Sequence, residues 1–177
     1  MKTDFQTSMQ LVSLENFPLI QKGDDLPVLI NQSLEANKVR LQDGDVLVIA
    51  QKVISKAEGR QVNLTSVIPS DEAQSLADLT QKDPRVVELI RQESTSILRH
   101  RPGLIIVEHK LGFVCANAGI DRSNVYQESD TDDEFVLLLP EDPSRSAREI
   151  RDYLEETWKC GIGILSIESH GRACRRG

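Results

Sequence analysis

Apolar residues recur at helical spacing in four parts of the chain, and each part follows a residue type that commonly caps a helix. The caps lie in the turn Gly23–Asp25 and at Ser70, Asp83 and Asp142. A side-chain oxygen at such a position accepts a hydrogen bond from an N–H group of the first helical turn. The third pattern runs on to Leu98, so we expect that helix to end at the basic stretch 99–103.

Short apolar runs between the helices predict six strands. They are Met9–Leu14, Val46–Ala50, Leu104–Val107, Phe113–Ala116, Phe135–Leu139 and Gly161–Ile167. The run at Val46–Ala50 is almost continuously apolar, which is typical of a strand buried on both faces. The third and fourth runs can form a hairpin about Lys110–Gly112.

The order of these elements predicts the fold class. Strands mix with helices without strict alternation, and no internal repeat or low-complexity linker separates them. We therefore expect an α+β fold, or a loosely α/β one, with mixed sheets and flanking helices. A length of 177 residues suits one domain, or one and a half, with a substantial core.

Charge and cysteine content narrow the function. The chain has 21 Lys and Arg against 28 Asp and Glu, a net charge of −7, so no nucleic-acid backbone is expected as a partner. Single nucleotides remain compatible with that charge. No apolar run has membrane-spanning length, so no membrane is expected either. Three cysteines without metal spacing indicate reduced thiols in a cytoplasmic protein.

The stretch Leu111–Asn124, LGFVCANAGIDRSN, is the strongest candidate for chemistry. Its apolar start leads into small residues and then into Asp121, Ser123 and Asn124. A buried strand that ends in such a polar turn is a common way for a fold to hold polar groups rigidly for a ligand. An ordinary strand-to-turn junction has the same composition. Lys56 could meet a phosphate, or be a surface lysine paired with Glu58. His109 is expected to be a turn or core histidine.

Several stretches together resemble the family of coenzyme F420-0:L-glutamate ligases (γ-glutamyl ligases). They are Pro18–Ile20 with Gly23–Leu26, Asp43–Ala50 leading to Ser55–Gly59, Lys82–Ser94, GFVCANAGIDRSN, Leu137–Arg151 and Glu168–Gly177. They occur in the family's order from about Leu14 to the last residue. The resemblance implies an enzyme that uses GTP to activate a carboxylate as an acyl phosphate. It then joins L-glutamate to coenzyme F420-0 through an amide bond.

The same resemblance implies cofactors and site residues. Family enzymes need Mg²⁺ or Mn²⁺, are helped by K⁺ and work as intertwined homodimers. The positions that match nucleotide contacts are Phe17, Pro18, Leu19, Ile20, Gln51, Lys52, Lys56 and Asn124. Those that match metal ligands are Asp121, Glu168 and Ser169. Lys56 and Asp121 are the expected catalytic residues, because a lysine can neutralise phosphate charge and a carboxylate suits a hard cation.

Two departures from the family qualify this expectation. Glu168 stands where the family usually has aspartate, and Ala173-Cys174 stands where it prefers proline or alanine followed by an aromatic residue. Family members also continue beyond residue 177, so the chain resembles their N-terminal portion. The 177 residues alone are expected to have little ligase activity, and a separate C-terminal half is a candidate partner. The alternatives are another acceptor, such as a folate, and an inactive nucleotide-binding, metal-binding or dimerising module.

Overall fold

The computed structural model describes residues 9–122 and 134–168. The described helices are α1 Leu26–Ala36, α2 Gln51–Ala57, α3 Asp71–Thr80, α4 Pro84–Gln92 and α5 Pro143–Trp158. The described strands are β1 Val46–Ala50, β2 Gln61–Asn63, β3 Ser94–Arg101, β4 Leu104–His109, β5 Val114–Ala116, β6 Phe135–Leu137 and β7 Gly163–Ile167. Two short 3₁₀ turns occupy Leu64–Ser66 and Asn117–Gly119.

The four predicted helix caps are confirmed. Asp25, Ser70, Asp83 and Asp142 each accept a hydrogen bond from a backbone N–H of the helix that follows. A capping side chain satisfies one of the first-turn N–H groups that have no partner inside the helix. The starts of α1, α3, α4 and α5 are therefore encoded locally.

The predicted extension of the third helix to Leu98 is wrong. Helix α4 ends at Gln92, where the N–H of the next residue, Glu93, bonds to the carbonyl of Leu89. Residues Ser94–Arg101 form β3, which pairs antiparallel with β4. Serine and threonine at the start of this stretch are poor helix formers, and the long-range pairing with β4 decides its structure.

The described strands form three small sheets, which confirms the α+β class. Strands β1 and β7 pair in parallel, β2 and β6 pair antiparallel, and β3, β4 and β5 form an antiparallel sheet in that order. The expected hairpin is present, because β4 and β5 join through the turn at Lys110–Gly112.

Two strand predictions need correction. Strand β1 forms, but only one face is buried: Leu47 and Ile49 pack inward, whereas Val46 and Val48 are exposed. Its sheet has two described strands, and its packed helices cover only the inner face. Residues 9–14 form no strand, since no described strand pairs with them.

Buried residues form two hydrophobic clusters. The first joins α3 and α4 to β4, β5 and β6; its largest members include Leu64, Ile90, Ile105 and Val107. The second joins α1, α2 and α5 to β1; its members include Leu34, Ile49, Ile54, Ile150 and Leu154. No helix in the described part of the chain is long and apolar enough to span a membrane.

His109 is a core histidine, as expected. Its side chain is 2% exposed and stacks on Phe113. Its Nδ1 accepts a hydrogen bond from the N–H of Leu111, at 3.0 Å, so the neutral ring carries its hydrogen on Nε2. Burial lowers the pKa of His109, while the carboxylate of Glu93, 3.9 Å from Nε2, acts in the opposite direction.

The protonation of His109 should make folding sensitive to acid. Because its pKa is lowered in the folded state, the unfolded chain binds the proton more readily below about pH 6.5. The free energy of unfolding should therefore fall as the pH drops below that value, by at most about 1.4 kcal/mol per pH unit for this group. Urea unfolding between pH 7.5 and 5 measures the slope. His109→Asn should reduce it, and His100→Asn, at an exposed position of β3, should not. Equal slopes in all three proteins would contradict this account.

Candidate active site

An ion pair between Lys52 and Asp121 links the two hydrophobic clusters. Lys52 lies on α2, which packs in the second hydrophobic cluster, and Asp121 follows the 3₁₀ turn that packs in the first. The ammonium group contacts the Oδ2 atom of Asp121, and the two side chains are 33% and 22% exposed. The structure thus brings together a predicted nucleotide contact and a predicted metal ligand at a partly open position.

The backbone of Asp121 is fixed against β6. Its N–H donates to the carbonyl of Leu137, at 3.0 Å, and its carbonyl accepts from the N–H of Leu137, at 2.8 Å. Leu137 also pairs with Gln61 of β2, so Asp121 extends this small sheet by one residue. The carboxylate is therefore presented from a position with little backbone freedom.

The turn before Asp121 has an unusual backbone. Asn117, Ala118 and Gly119 all have positive φ, at 50°, 51° and 66°. This conformation is unfavourable for residues with a Cβ, and it persists where the surroundings impose it. Ala118 is fully buried, and the side chain of Asn117 accepts a hydrogen bond from the N–H of Ile105, at 3.1 Å. Packing and this bond hold the strained turn in place.

Helix α2 carries the candidate cations. It begins directly after β1, and Lys52 and Lys56 lie one turn apart on the same face. Gln51, another predicted nucleotide contact, is buried; its amide donates to the hydroxyl of Ser55 at 2.6 Å. Its side chain thus packs within the protein, next to the position from which Lys52 reaches Asp121.

Glu58 is not the ion-pair partner of Lys56. Its two carboxylate oxygens accept hydrogen bonds from the N–H of Glu141 and the hydroxyl of Ser146, each at 2.7 Å. These bonds tie the end of α2 to the start of α5. Among the described residues, no carboxylate oxygen lies within 4.0 Å of the Lys56 ammonium.

The predicted nucleotide segment Phe17–Ile20 also approaches α2. Phe17 and Ile20 pack on the second hydrophobic cluster, whereas Pro18 and Leu19 are exposed. Just after it, the N–H of Gly23 donates to the carbonyl of Ala57 at 2.8 Å. The segment is therefore fixed near the end of the helix that carries Lys56.

Lys22 makes a close contact with the same end of α2. Its side chain crosses Gly59, where φ is +72° and a Cβ would lie 2.5–2.7 Å from the lysine carbons. The positive φ favours glycine here, and a Cβ would also displace the exposed Lys22 side chain.

Glu168 belongs to the same edge of the structure. It follows β7, whose last residue, Ile167, pairs with Ala50 at the end of β1. Because these strands are parallel, Glu168 and α2 both follow the carboxyl edge of the sheet, where ligands commonly bind in parallel sheets. The predicted ligand Ser169 and the predicted nucleotide contact Asn124 lie outside the described residues.

The chemistry of these residues suits a divalent metal bound together with a nucleotide. The described residues contain no cluster of three or more His, Cys, Asp or Glu side chains that could hold a metal. Mg²⁺ is commonly held by one or two carboxylates, with phosphate oxygens and water completing its shell. Asp121 and Glu168 are carboxylates of the right type for such a site.

Comparison with known proteins decides the family. A family model described as F420-0:Gamma-glutamyl ligase matches residues 15–177. The chain belongs to this family. Its relatives include proteins named Coenzyme F420:L-glutamate ligase from Methanopyrus kandleri, 46% identical over 93% of the chain, and Methanothermobacter thermautotrophicus, 41% identical over 96%. The chain spans 62% and 65% of the length of these two F420 ligases.

Sequence reasoning missed the residues that position the site. Arg60 donates to the carbonyl of Leu139 at 2.8 Å and forms an ion pair with Glu93, next to His109. Glu58 and Leu137 act similarly, through the bonds described above. These partners are far apart in the chain, so no local pattern could pair them. The available signal was that charged residues, Glu58 and Arg60, directly follow α2.

Gly119 should be the most sensitive point of the turn that presents Asp121. In Gly119→Ala, a Cβ would lie 2.8 Å from the Leu139 side chain, in addition to the strain of a positive φ. We expect a loss of about 2–4 kcal/mol in the free energy of unfolding, measured with urea. Gly112→Ala is the matched control, because φ is +84° there but the space is open; it should cost about 1 kcal/mol. Equal costs would show that the contact with Leu139 does not constrain the turn.

Proposed function

We propose that this chain carries the nucleotide and metal residues of a GTP-dependent γ-glutamyl ligase that adds L-glutamate to coenzyme F420-0. The observation that carries the proposal is the meeting of Lys52 and Asp121 beside the strand end that leads to Glu168. The description of the family supports F420-0 as the acceptor, and the names of the relatives support L-glutamate as the amino acid. GTP, Mg²⁺ or Mn²⁺ and K⁺ are part of the proposal, and no described residue is assigned to K⁺.

In this proposal the carboxylates of Asp121 and Glu168 would hold the metal together with GTP. A metal held there would supply charge stabilisation for phosphoryl transfer. Lys52, which contacts Asp121 in the structure, helps to position that carboxylate. Ser169 would add a hydroxyl ligand and Asn124 an amide contact.

The remaining residues bind and orient the nucleotide. Lys56, one turn from Lys52, neutralises phosphate charge as the γ-phosphoryl group is transferred. The segment Phe17–Ile20 lies along the nucleotide, with its exposed members Pro18 and Leu19 available for contact. Gln51 supports this arrangement from its buried position.

The reaction has two steps. An oxygen of the F420-0 carboxylate attacks the γ-phosphorus of GTP, the bond to the bridging oxygen breaks, and GDP leaves. The α-amine of L-glutamate then attacks the acyl carbon, phosphate leaves with the bonding electrons, and the nitrogen loses a proton as the amide forms. Exclusion of water protects the acyl phosphate between these steps.

Asp121→Asn tests the metal role. The substitution keeps the side chain's size but removes the charge that a divalent metal needs. We expect Mn²⁺ to tighten GTP binding to the native chain at least about tenfold more than to the variant, a difference of about 1.4 kcal/mol. Calorimetric titration with GTP, with and without Mn²⁺, measures the effect. The melting temperature of the variant should fall by no more than about 4 °C, the size expected from the loss of an ion pair worth about 0.5–1 kcal/mol.

Asp152→Asn is the matched control. Asp152 also forms an ion pair, with Arg151, but on an exposed part of α5 away from the site. Its substitution should leave the Mn²⁺ dependence of GTP binding unchanged. The same metal dependence in Asp121→Asn and in the native chain would overturn the proposed role of Asp121.

A further inference from the structure

The outer face of the β1–β7 sheet is apolar and open. Val46 and Val48 of β1 are 59% and 49% exposed, and Leu165 and Ile167 of β7 are 50% and 48% exposed. Val48 pairs directly with Leu165 in the sheet register, and the other two residues lie two positions away along their strands. Paired and alternate residues share one face, so the four side chains form one continuous patch.

This patch is unusual for a parallel sheet. Parallel strands are normally covered on both faces, and two strands alone make a weak sheet. The inner face meets this expectation, because Leu47, Ile49 and Ile164 pack within the second hydrophobic cluster. In the described part of the chain, no element covers the outer four residues.

A cleft continues the patch along β1. It has a volume of about 640 Å³ and lies between residues 10–14 and the strand. Leu11 and Val12 contribute exposed apolar side chains to its wall, beside Val46 and Val48. The exposed apolar surface thus extends from the sheet face to the segment that precedes Phe17.

The relatives have additional chain that could cover this surface. The matches include 93–97% of this chain but only 61–65% of each relative. The match to the Methanopyrus kandleri relative runs over 167 residues and includes 93% of this chain's 177 residues, so it contains no long inserted loop. The additional third of that relative therefore lies outside the matched block. A portion of that length can form several elements, enough to cover a sheet face.

We propose that the outer face of β1–β7, with the cleft beside it, is the docking surface for this additional third of the family, present in the same polypeptide or as a separate one. The strand ends of the same sheet lead to Lys52 and Glu168, so the docked portion would border the candidate active site. The proposal goes beyond the proposed activity, and its test requires neither GTP nor glutamate.

Cysteine labelling tests the proposal. Val48→Cys would place a thiol on the face, and Ile68→Cys is the control at an apolar position that is 89% exposed elsewhere. Each substitution is made with Cys160 and Cys174 replaced by serine, in this chain alone and in this chain joined to the additional third of the Methanopyrus kandleri relative. Reaction with a maleimide is timed in both forms.

We expect Val48→Cys to react at least about tenfold more slowly in the joined protein, and Ile68→Cys to react equally in both. Amide hydrogen exchange in β4 is followed in each protein, and equal protection shows that the first cluster is folded in both. Equal reaction of Val48→Cys in the two forms would overturn the proposal. So would a self-associated chain in which Val48→Cys is already protected, because the occupant would then be a second copy.

Discussion

The ion pair between Lys52 and Asp121 joins the two hydrophobic clusters at the point where the candidate site residues meet. Each partner is held by its own cluster: Lys52 by a helix that starts at the end of β1, and Asp121 by two backbone bonds to Leu137. The turn Asn117–Gly119, with its positive φ angles, leads directly to Asp121. The packing that stabilises this strained turn therefore also positions the Asp121 carboxylate.

Local signals predicted much of this fold. The caps Asp25, Ser70, Asp83 and Asp142 each start a helix, because capping depends on residues within one turn. The errors arose where distant residues decide. Ser94–Arg101 is a strand because β4 pairs with it, and β1 is buried on one face because its outer face meets no described element.

In the candidate site, too, some residues could be predicted from the sequence and others could not. The resemblance selected Lys52 and Asp121, and the structure brings them into contact. The residues that orient them could not be read from the sequence, because their partners are remote: Glu58 binds the start of α5, and Arg60 binds the carbonyl of Leu139. The open outer face of β1–β7 calls for a covering element in addition, since a parallel sheet normally has both faces covered.

A double-mutant cycle on Lys52 and Asp121 tests the central claim most directly. The free energy of unfolding is measured with urea for the native chain, Lys52→Met, Asp121→Asn and the double substitution, without metal or nucleotide. If the ion pair links the two clusters, the double substitution should cost about 0.5–1 kcal/mol less than the sum of the single ones. Single costs that add within about 0.3 kcal/mol would show that the two side chains do not interact, and would contradict the site described for this chain.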